Sequence, residues 1–253
     1  MLTMLYQTAN RAAIFGLRYL LCFPDSGYNY RFIWSSQIPY YMQVILDGKS
    51  VAAEADETIL DVAQREGIDI PTLCYLKNLK PCSTSCLVCL VKLNGRFVPS
   101  CAILVEEGMV IDSETDEVVA MRRSALELLL SDHIGHCRTC GEGRKKCRLL
   151  KYIAKYKADR HRFDNSEVPS EQPAETLLQS DHVVFDSRKC IKCGICLAIT
   201  RQLGEEIGLT FIGRGFDTRV GVPFDEPLQR GVETSAEEIV SACPTAALTR
   251  RGI

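Results

Sequence analysis

Thirteen cysteines in a chain of 253 residues are the feature that most restricts what this sequence can fold into. Their number is odd, so disulfides cannot use all of them. Thiolates two residues apart suit convergence on one metal centre better than they suit linking distant segments. The cysteines that stand in such groups are Cys86/Cys89, Cys137/Cys140 and Cys190/Cys193/Cys196. The pattern therefore predicts metal binding in a reducing compartment.

Composition and hydropathy narrow the class of protein further. With 46% hydrophobic and 25% charged residues, the chain has the make-up of a globular protein. Its net charge of −2 gives no global reason to expect nucleic-acid binding. No apolar run approaches the ~18 residues of a membrane span, and the apolar stretch 12–23 lacks a clear cleavage site. We therefore expect a cytoplasmic protein that neither spans a membrane nor binds nucleic acid.

Residues 1–41 differ in composition from the rest of the chain. They are rich in aromatic residues and hold a single acidic residue, Asp25. We interpret them as a lineage-specific extension, or as upstream sequence wrongly included by gene prediction. The alternative is an added helix and strand packed on a partner. A conventional domain is expected to start at Met42.

Residues 42–114 predict a small α+β domain with the β-grasp order of hairpin, helix, loop and hairpin. The dipeptides Asp47-Gly48 and Asn94-Gly95 are type I′ turn signals between apolar strands. Asp56 is the predicted N-cap of a helix over 57–66. A cysteine-rich loop follows that helix.

The remainder of the chain predicts two further domains. Residues 115–162 are expected to be helical around a cysteine loop, with an apolar face that includes Leu128. Segment 144–162 is strongly basic, which suits docking of an acidic partner, compensation of an anionic cluster, or a solvated helix face. Residues 163–179 are polar and predict a linker. A compact third domain is expected over 180–253.

The first candidate metal site is the pattern Cys74-x11-Cys86-x2-Cys89-x11-Cys101. Two of its ligands lie in one tight loop, and one comes from each flank. A [2Fe–2S] cluster needs two thiolates per iron, and a loop wrapped on a hairpin can supply them while shielding the sulfides from water. A structural zinc site with four cysteine ligands is the alternative. By reach alone, Cys82 could replace Cys74 as the first ligand.

The second candidate site is His133-x3-Cys137-x2-Cys140-x6-Cys147. Three thiolates in a short loop need a fourth ligand to close a [4Fe–4S] cubane, and His133 can supply a neutral imidazole nitrogen. Replacing thiolate by imidazole removes negative charge, which is expected to raise the reduction potential above that of an all-cysteine cubane. His136 is the weaker candidate for the same role.

The third candidate site is Cys190-x2-Cys193-x2-Cys196 with Cys243-Pro244 far downstream. A C-x2-C-x2-C triplet with a remote Cys-Pro is the bacterial ferredoxin pattern. A two-cluster ferredoxin would need four more cysteines, and all four are missing. Position 200 is Thr200, and no cysteine occurs over 231–242. One complete [4Fe–4S] cluster is therefore predicted.

These motifs resemble a known family. The segments that carry the resemblance are PTLCYLKNLKPC, CLVCLVKLNG, RRSALELLLSDHIGHCRTC, CIKCGIC, FIGRGFDTRVG and ACPTAAL. They are similar to the N-terminal iron–sulfur region of the large iron–sulfur subunit of NADH:quinone oxidoreductase, a region that also occurs in iron-only hydrogenases and NAD-dependent formate dehydrogenases. In length and in its single C-terminal cubane, the chain looks most like the diaphorase small subunit of NAD-reducing [NiFe] hydrogenases. The resemblance covers 42–253.

The resemblance implies three domains in an α+β fold. They are a β-grasp [2Fe–2S] ferredoxin domain, a helical [4Fe–4S] domain with one histidine and three cysteine ligands, and a bacterial-ferredoxin-like domain reduced to one [4Fe–4S] cluster. The implied ligand sets are Cys74, Cys86, Cys89 and Cys101; His133, Cys137, Cys140 and Cys147; and Cys190, Cys193, Cys196 and Cys243. The spacing before Cys147 is one residue longer than the family usually has.

The resemblance also predicts electron transfer without an active site of the chain's own. The sequence has no nucleotide-binding glycine motif after a strand. A flavoprotein subunit that reacts with NAD(H) would pass single electrons to the clusters, and these would lead to a catalytic partner subunit. The ten residues after Cys243 leave no room for a second active site, so a partner subunit is expected to carry it. That partner is expected to be a hydrogenase, a formate dehydrogenase or a low-potential acyl-CoA reductase. A zinc-stabilised assembly module without a redox role is the competing interpretation.

Overall fold

The computed structural model describes residues 21–24, 30–33, 41–79, 83–131, 133, 147–163 and 177–252. The chain forms two compact units, residues 1–41 and 42–253. Within the first unit, strands β1 (Leu21–Pro24) and β2 (Tyr30–Ile33) pair antiparallel. None of the described helices has the length and apolar character needed to cross a bilayer.

A mixed five-stranded sheet begins the larger unit. Its strands are β3 (Tyr41–Leu46), β4 (Lys49–Glu54), β5 (Leu90–Leu93), β6 (Arg96–Pro99) and β7 (Val110–Asp112), in the order β4-β3-β7-β5-β6. Strand β7 runs parallel to β3 and antiparallel to β5. Buried and exposed residues alternate along β3, so one face of the sheet packs against helix α1 (Ile59–Arg65).

Both predicted hairpin turns are present. Asp47 and Gly48 have φ values of 49° and 78°, and Asn94 and Gly95 have φ values of 47° and 82°. Positive φ at both central residues is the type I′ conformation, whose twist matches that of paired strands. The turns place β4 beside β3 and β6 beside β5.

Helix α1 begins two residues later than the sequence indicated. The prediction of Asp56 as its N-cap is wrong, because Thr58 caps the helix. The Thr58 hydroxyl accepts from the Asp61 N–H at 3.1 Å, and the Thr58 N–H donates to the Asp61 carboxylate at 3.0 Å. This reciprocal pair is a capping box, which satisfies two main-chain donors at once.

Replacing Thr58 by alanine is expected to lower the free energy of unfolding by about 1 kcal/mol, because the Asp61 N–H loses its acceptor. Asp56→Ala is the matched control, with an expected change below about 0.5 kcal/mol. Anaerobic urea unfolding followed by circular dichroism measures both. A larger loss with Asp56→Ala than with Thr58→Ala would restore Asp56 as the cap.

Two helices follow the sheet and pack together, α2 (Asp116–Ser131) and α3 (Arg148–Tyr156). The predicted apolar face of α2 is only partly right, since Leu128 is 57% exposed and Arg122 is fully buried. The Arg122 guanidinium donates to the Leu90 carbonyl at 3.0 Å and to the Tyr156 hydroxyl at 3.2 Å. These hydrogen bonds to the sheet and to α3 allow a cation to occupy a core position.

The basic segment is partly used inside the chain. In its described part, 147–162, the Arg162 guanidinium pairs with the buried carboxylate of Glu127 at 2.6 Å. The Arg148 guanidinium donates to the Ala242 carbonyl at 3.4 Å. The segment therefore contributes to packing as well as to the charged surface.

The C-terminal part contains a three-stranded antiparallel sheet, ordered β12-β9-β8. The elements of this part are β8 (Leu177–Gln179), β9 (Val183–Asp186), α4 (Ile195–Gln202), β10 (Thr210–Ile212), β11 (Arg219–Gly221), α5 (Leu228–Gly231), α6 (Ala236–Ala242) and β12 (Leu248–Arg250). Strand β8 falls within the predicted linker 163–179, so the end of that segment is a paired strand. Strands β10 and β11 form a separate antiparallel pair.

Two hydrophobic cores stabilise the larger unit. One lies between the five-stranded sheet and α1, and it includes Cys89 and Cys101. The other joins α2, α3 and the C-terminal elements, and it includes Cys74, Cys86 and Cys193. The first cysteine set therefore straddles both cores, and the first and third sets share one core.

Candidate metal centres

The first cysteine set is brought together from three loops. Cys74 follows α1, Cys86 and Cys89 precede β5, and Cys101 follows β6. All four side chains are buried, and the Sγ atoms of Cys89 and Cys101 lie 3.4 Å apart. The structure thus gathers the four predicted ligands into one buried, thiol-only site.

The loop that carries Cys86 and Cys89 is held as a turn. Leu87, between them, has a φ of 51°, a left-handed conformation that is rare for a large side chain. The Ser100 hydroxyl donates to the Cys89 carbonyl at 2.8 Å. This bond ties the loop to the residue that precedes Cys101, so both halves of the site keep their spacing.

Hydrogen bonds among these thiols shift their pKa values in opposite directions. Hydrogen bonding with Cys101 and Cys86 lowers the pKa of Cys74, and hydrogen bonding with Cys101 lowers the pKa of Cys89. The pKa of Cys86 is raised, because its thiol is hydrogen-bonded to Cys74 and is buried. Thiolate, the form that binds metals, is therefore favoured at Cys74 and Cys89 and disfavoured at Cys86. Cys82 lies outside the described residues, so the preference for Cys74 over it stays a prediction.

Two predicted ligands of the second site are described. His133 follows the end of α2, and its main-chain N–H donates to the Leu130 carbonyl at 3.1 Å. The Nδ1 atom of its ring is buried. Cys147 is the N-cap of α3, and its Sγ accepts the Leu150 N–H at 3.4 Å. The positive end of a helix dipole favours a thiolate there. Outside the described residues lie Cys137, Cys140, His136 and the long spacing over 141–146.

The third cysteine set lines one cavity. Cys190, Cys193 and Cys196 come from the loop before α4 and its first turn, and Cys243 is the C-cap of α6. Much of the remaining wall is apolar and includes Ile239. Four thiols around an apolar cavity can hold a cluster away from water, and solvent exposure is one of the factors that set its potential.

Burial governs protonation at the third site. It raises the pKa of Cys193 to about 12, and it also raises the pKa of Cys196. Metal binding must therefore displace protons from these thiols, and affinity is expected to fall as the pH decreases.

Thr200 occupies the position where a two-cluster ferredoxin would have a cysteine. Its hydroxyl accepts the Leu209 N–H at 3.2 Å and donates to the Leu197 carbonyl at 3.0 Å. The side chain is buried and joins α4 to the segment that follows it. Its function is therefore structural.

Acidic side chains hold the segments that carry the third set. Asp186, at the end of β9, pairs with Arg188 at 2.9 Å just before the first ligand of the set. Glu205 accepts the N–H groups of Thr234 and Ser235 at 2.8 and 2.7 Å. Those two residues directly precede α6, which leads to the last ligand. Both carboxylates thus support the cavity.

These carboxylates predict a pH dependence of stability. Burial raises the pKa of each carboxyl, but other interactions outweigh it, so both pKa values fall below the ordinary 3.8 for Asp186 and 4.5 for Glu205. Hydrogen bonds and the charges of Arg188 and Lys189 lower the pKa of Asp186, whereas hydrogen bonds alone lower that of Glu205. A lowered folded-state pKa adds stability that is present above the unfolded pKa and is lost as the pH falls through the folded pKa. The free energy of unfolding is therefore expected to decrease below about pH 4.

Glu205→Gln tests this pH dependence. It is expected to cost about 2 kcal/mol at about pH 7, because charge-assisted hydrogen bonds are lost, and to reduce the difference in stability between about pH 7 and about pH 4. Glu206→Gln, at the exposed neighbouring position, is the control. Urea unfolding at both pH values gives the comparison. A pH difference equal to that of the unaltered chain would refute the assignment.

An all-thiol donor set suits soft metal centres, which include zinc ions as well as iron–sulfur clusters. Within the described residues, no three or more His, Cys, Asp or Glu side chains are gathered as ligands of a single metal ion. An iron–sulfur cluster shares its thiolates among several irons, so its ligands surround an inorganic core. The first and third sets, all thiol, match the soft donors that such clusters use.

Known proteins show similarity along most of the chain. A family profile described as "2Fe-2S iron-sulfur cluster binding domain" matches residues 42–116, and one described as "NADH-ubiquinone oxidoreductase-G iron-sulfur binding region" matches 122–162. The NADP-reducing hydrogenase subunit HndD of Solidesulfovibrio fructosivorans is 34% identical over 82% of this chain, which spans only 36% of HndD. The gamma subunit of the NAD-reducing hydrogenase HoxS of Cupriavidus necator is 29% identical over 84% of this chain and 88% of its own length.

A solved structure shares the fold. A chain of an NAD⁺-reducing [NiFe]-hydrogenase in the H2-reduced state matches with a TM-score of 0.73 and 26% identity. The match covers 83% of this chain and 88% of that chain.

Fold, sites and similarities define an iron–sulfur electron-transfer protein with a [2Fe–2S] ferredoxin-like domain and a [4Fe–4S] binding region. Its thiol-rich sites agree with that class. The chain is homologous to the N-terminal iron–sulfur region of the large iron–sulfur subunit of NADH:quinone oxidoreductase, which hydrogenases and a formate dehydrogenase-like protein share. The resemblance drawn from the motifs is therefore confirmed.

Proposed function

We propose that the chain relays single electrons between an NAD(H)-reacting flavoprotein subunit and the catalytic subunit of a multi-subunit oxidoreductase. The similarity to the HoxS gamma subunit along 88% of its length favours a hydrogenase as the catalytic partner. A formate dehydrogenase and a low-potential acyl-CoA reductase are the alternatives. A cytoplasmic location stays a prediction.

The proposed cofactors are one [2Fe–2S] and two [4Fe–4S] clusters. Bound clusters of this kind accept and release one electron at a time. The proposed ligand sets are Cys74, Cys86, Cys89 and Cys101 for the [2Fe–2S] cluster, and His133, Cys137, Cys140 and Cys147, then Cys190, Cys193, Cys196 and Cys243, for the [4Fe–4S] clusters. The proposed domains are 42–114, 115–162 and, as a ferredoxin-like domain, 180–253.

A contact between the first and third cysteine sets is the observation that carries this proposal. The hydroxyls of Ser83 and Ser85 donate to the Cys193 carbonyl at 2.5 and 3.3 Å. Ser85 directly precedes Cys86, so a short covalent and hydrogen-bonded path joins the two cysteine loops. Electron tunnelling weakens steeply with distance, so this adjacency supports direct transfer between the two sites.

A second contact joins the second and third sets. The Arg148 N–H donates to the Pro244 carbonyl at 2.7 Å. Each of these residues directly follows a proposed ligand, Cys147 in one case and Cys243 in the other. Because the segments that carry the third set are hydrogen-bonded to segments that carry each of the other two, we propose the third set as the middle of the path, with electrons passing between the first and the second set through it.

Metal analysis of the full chain after anaerobic reconstitution tests the cofactors. About ten irons and equal sulfide are expected for one [2Fe–2S] and two [4Fe–4S] clusters, with little zinc. Stoichiometric zinc with few irons would instead support the zinc-stabilised assembly module. Zinc and iron are counted in the same sample, so the two interpretations are compared directly.

Reduction by NADH tests the function itself. The clusters of the isolated chain are expected to stay oxidised with NADH, and the chain to show no NADH–dye activity. Addition of the flavoprotein subunit is expected to make the clusters reducible by NADH. Rapid reduction of the isolated chain by NADH would refute the proposal of a relay without its own active site.

A further inference from the structure

The loop between β11 and α5 presents Phe224 almost entirely to solvent. Its side chain is 93% exposed, whereas Phe97 on the edge strand β6 is 38% exposed. Aromatic residues supply much of the energy of protein interfaces, where one ring often fills a pocket of the partner. A ring this exposed is therefore a candidate anchor.

The backbone of this loop is strained. Phe224 and Asp225 have φ values of 62° and 55° in succession. Left-handed backbone is unusual for a bulky residue, and glycine is its common occupant. Such strain persists only where the surrounding structure imposes it, and it concentrates at functional segments. The loop therefore projects the ring outward in spite of a conformational cost.

Both ends of the loop are fixed. Val222 and Leu228 are buried in the core that also contains Cys193. Pro223 and Pro227 restrict the chain between them. The backbone that carries the ring is therefore preorganised, which reduces the entropy lost when the loop binds.

Two carboxylates adjoin the ring. Asp225 and Glu226 are exposed, and no described cation forms a salt bridge with either. The next cation along the chain, Arg230, instead pairs with Glu206 at 3.5 Å. Interfaces place opposite charges across from each other, so the surface that meets this loop is expected to be cationic.

We propose that Phe224 docks into an apolar pocket of a partner subunit whose rim carries Lys or Arg facing Asp225 and Glu226. The inference rests on the proposed function, because it takes the partner from the same oxidoreductase complex. Val220, just before this loop, lines the cavity of the third cysteine set. Docking at the loop therefore brings the partner to the side of that set.

Photo-crosslinking in the intact complex tests the surface. The photoreactive residue p-benzoylphenylalanine replaces Phe224 in one preparation and Phe97 in another, and the full chain is purified with the subunits that assemble on it. Position 224 is expected to crosslink to a partner subunit at least about tenfold more efficiently, within a peptide that contains Lys or Arg. Crosslinks to a second copy of this chain, equal yields from the two positions, or a peptide without Lys or Arg would overturn the proposal.

Affinity separates this inference from the proposed function. Phe224→Ala is expected to raise the dissociation constant of the complex about tenfold or more, and Phe97→Ala by less than about twofold. The double substitution Asp225→Asn and Glu226→Gln is expected to weaken the dependence of that dissociation constant on salt concentration. If the unaltered chain assembles with no partner, both proposals fail. Unchanged affinity of Phe224→Ala, in a complex whose clusters NADH still reduces, overturns only the docking inference.

Discussion

Cys74→Ser is expected to reduce the electron paramagnetic resonance signal of the reduced [2Fe–2S] cluster to background. The Cys74 thiol is buried with Cys86 and Cys101, whose hydrogen bonds lower its pKa. Metal ligation needs a thiolate, and serine does not ionise near neutral pH. The signal is recorded after dithionite reduction, with iron content measured on the same sample.

Cys82→Ser is the matched control, because it removes a thiol four residues before Cys86 by the same substitution. It is expected to keep both the [2Fe–2S] signal and the iron content of the unaltered chain. The [4Fe–4S] signals are expected to persist in both variants. Loss of the [2Fe–2S] signal only in Cys82→Ser would assign the first ligand to Cys82 instead.

Arg122→Ala is expected to lower the free energy of unfolding by about 4 kcal/mol. The substitution empties a fully buried position and leaves the Leu90 carbonyl and the Tyr156 hydroxyl without their donor. Cavity formation and lost hydrogen bonds combine to give a cost of this size. Anaerobic urea unfolding followed by circular dichroism measures it.

Glu114→Gln separates the ion pair of Arg122 from its packing. Glu114 accepts from the Arg122 guanidinium at 2.8 Å but is 54% exposed, so water already solvates its carboxylate. A loss below about 1 kcal/mol is expected. Arg122→Lys keeps the positive charge but lacks the planar guanidinium group. Its loss in free energy of unfolding is expected to lie between those of Glu114→Gln and Arg122→Ala. Equal losses for Glu114→Gln and Arg122→Ala would assign the stability to the ion pair instead.

The sequence was informative where the physical signal is local. Asn94-Gly95 predicted a type I′ turn because few other dipeptides accept positive φ at both positions. The residues that cap a helix are also a local signal, but the predicted N-cap of α1 is wrong. Asp56 and Thr58 are both favourable N-cap residues. What distinguishes Thr58 is that the Asp61 carboxylate accepts a hydrogen bond from its main-chain N–H, which completes the capping box.

Contacts between distant segments could not be predicted from the sequence. Ser83 and Ser85 are ordinary polar residues, and nothing in their spacing indicates the Cys193 carbonyl as their partner. Arg122 interrupts an apolar pattern, which usually marks a solvent-facing position. Its burial depends on acceptors supplied by the sheet and by a second helix, and tertiary structure alone brings them together.

The hydrophobic core shared by Cys74, Cys86 and Cys193 has a consequence for biogenesis. Metal binding to such sites contributes directly to folding free energy. Cofactor insertion at either proposed site is therefore expected to add stability to the one core that both sites share. The cellular machinery that delivers iron and sulfide is then expected to assist the folding of this chain as well.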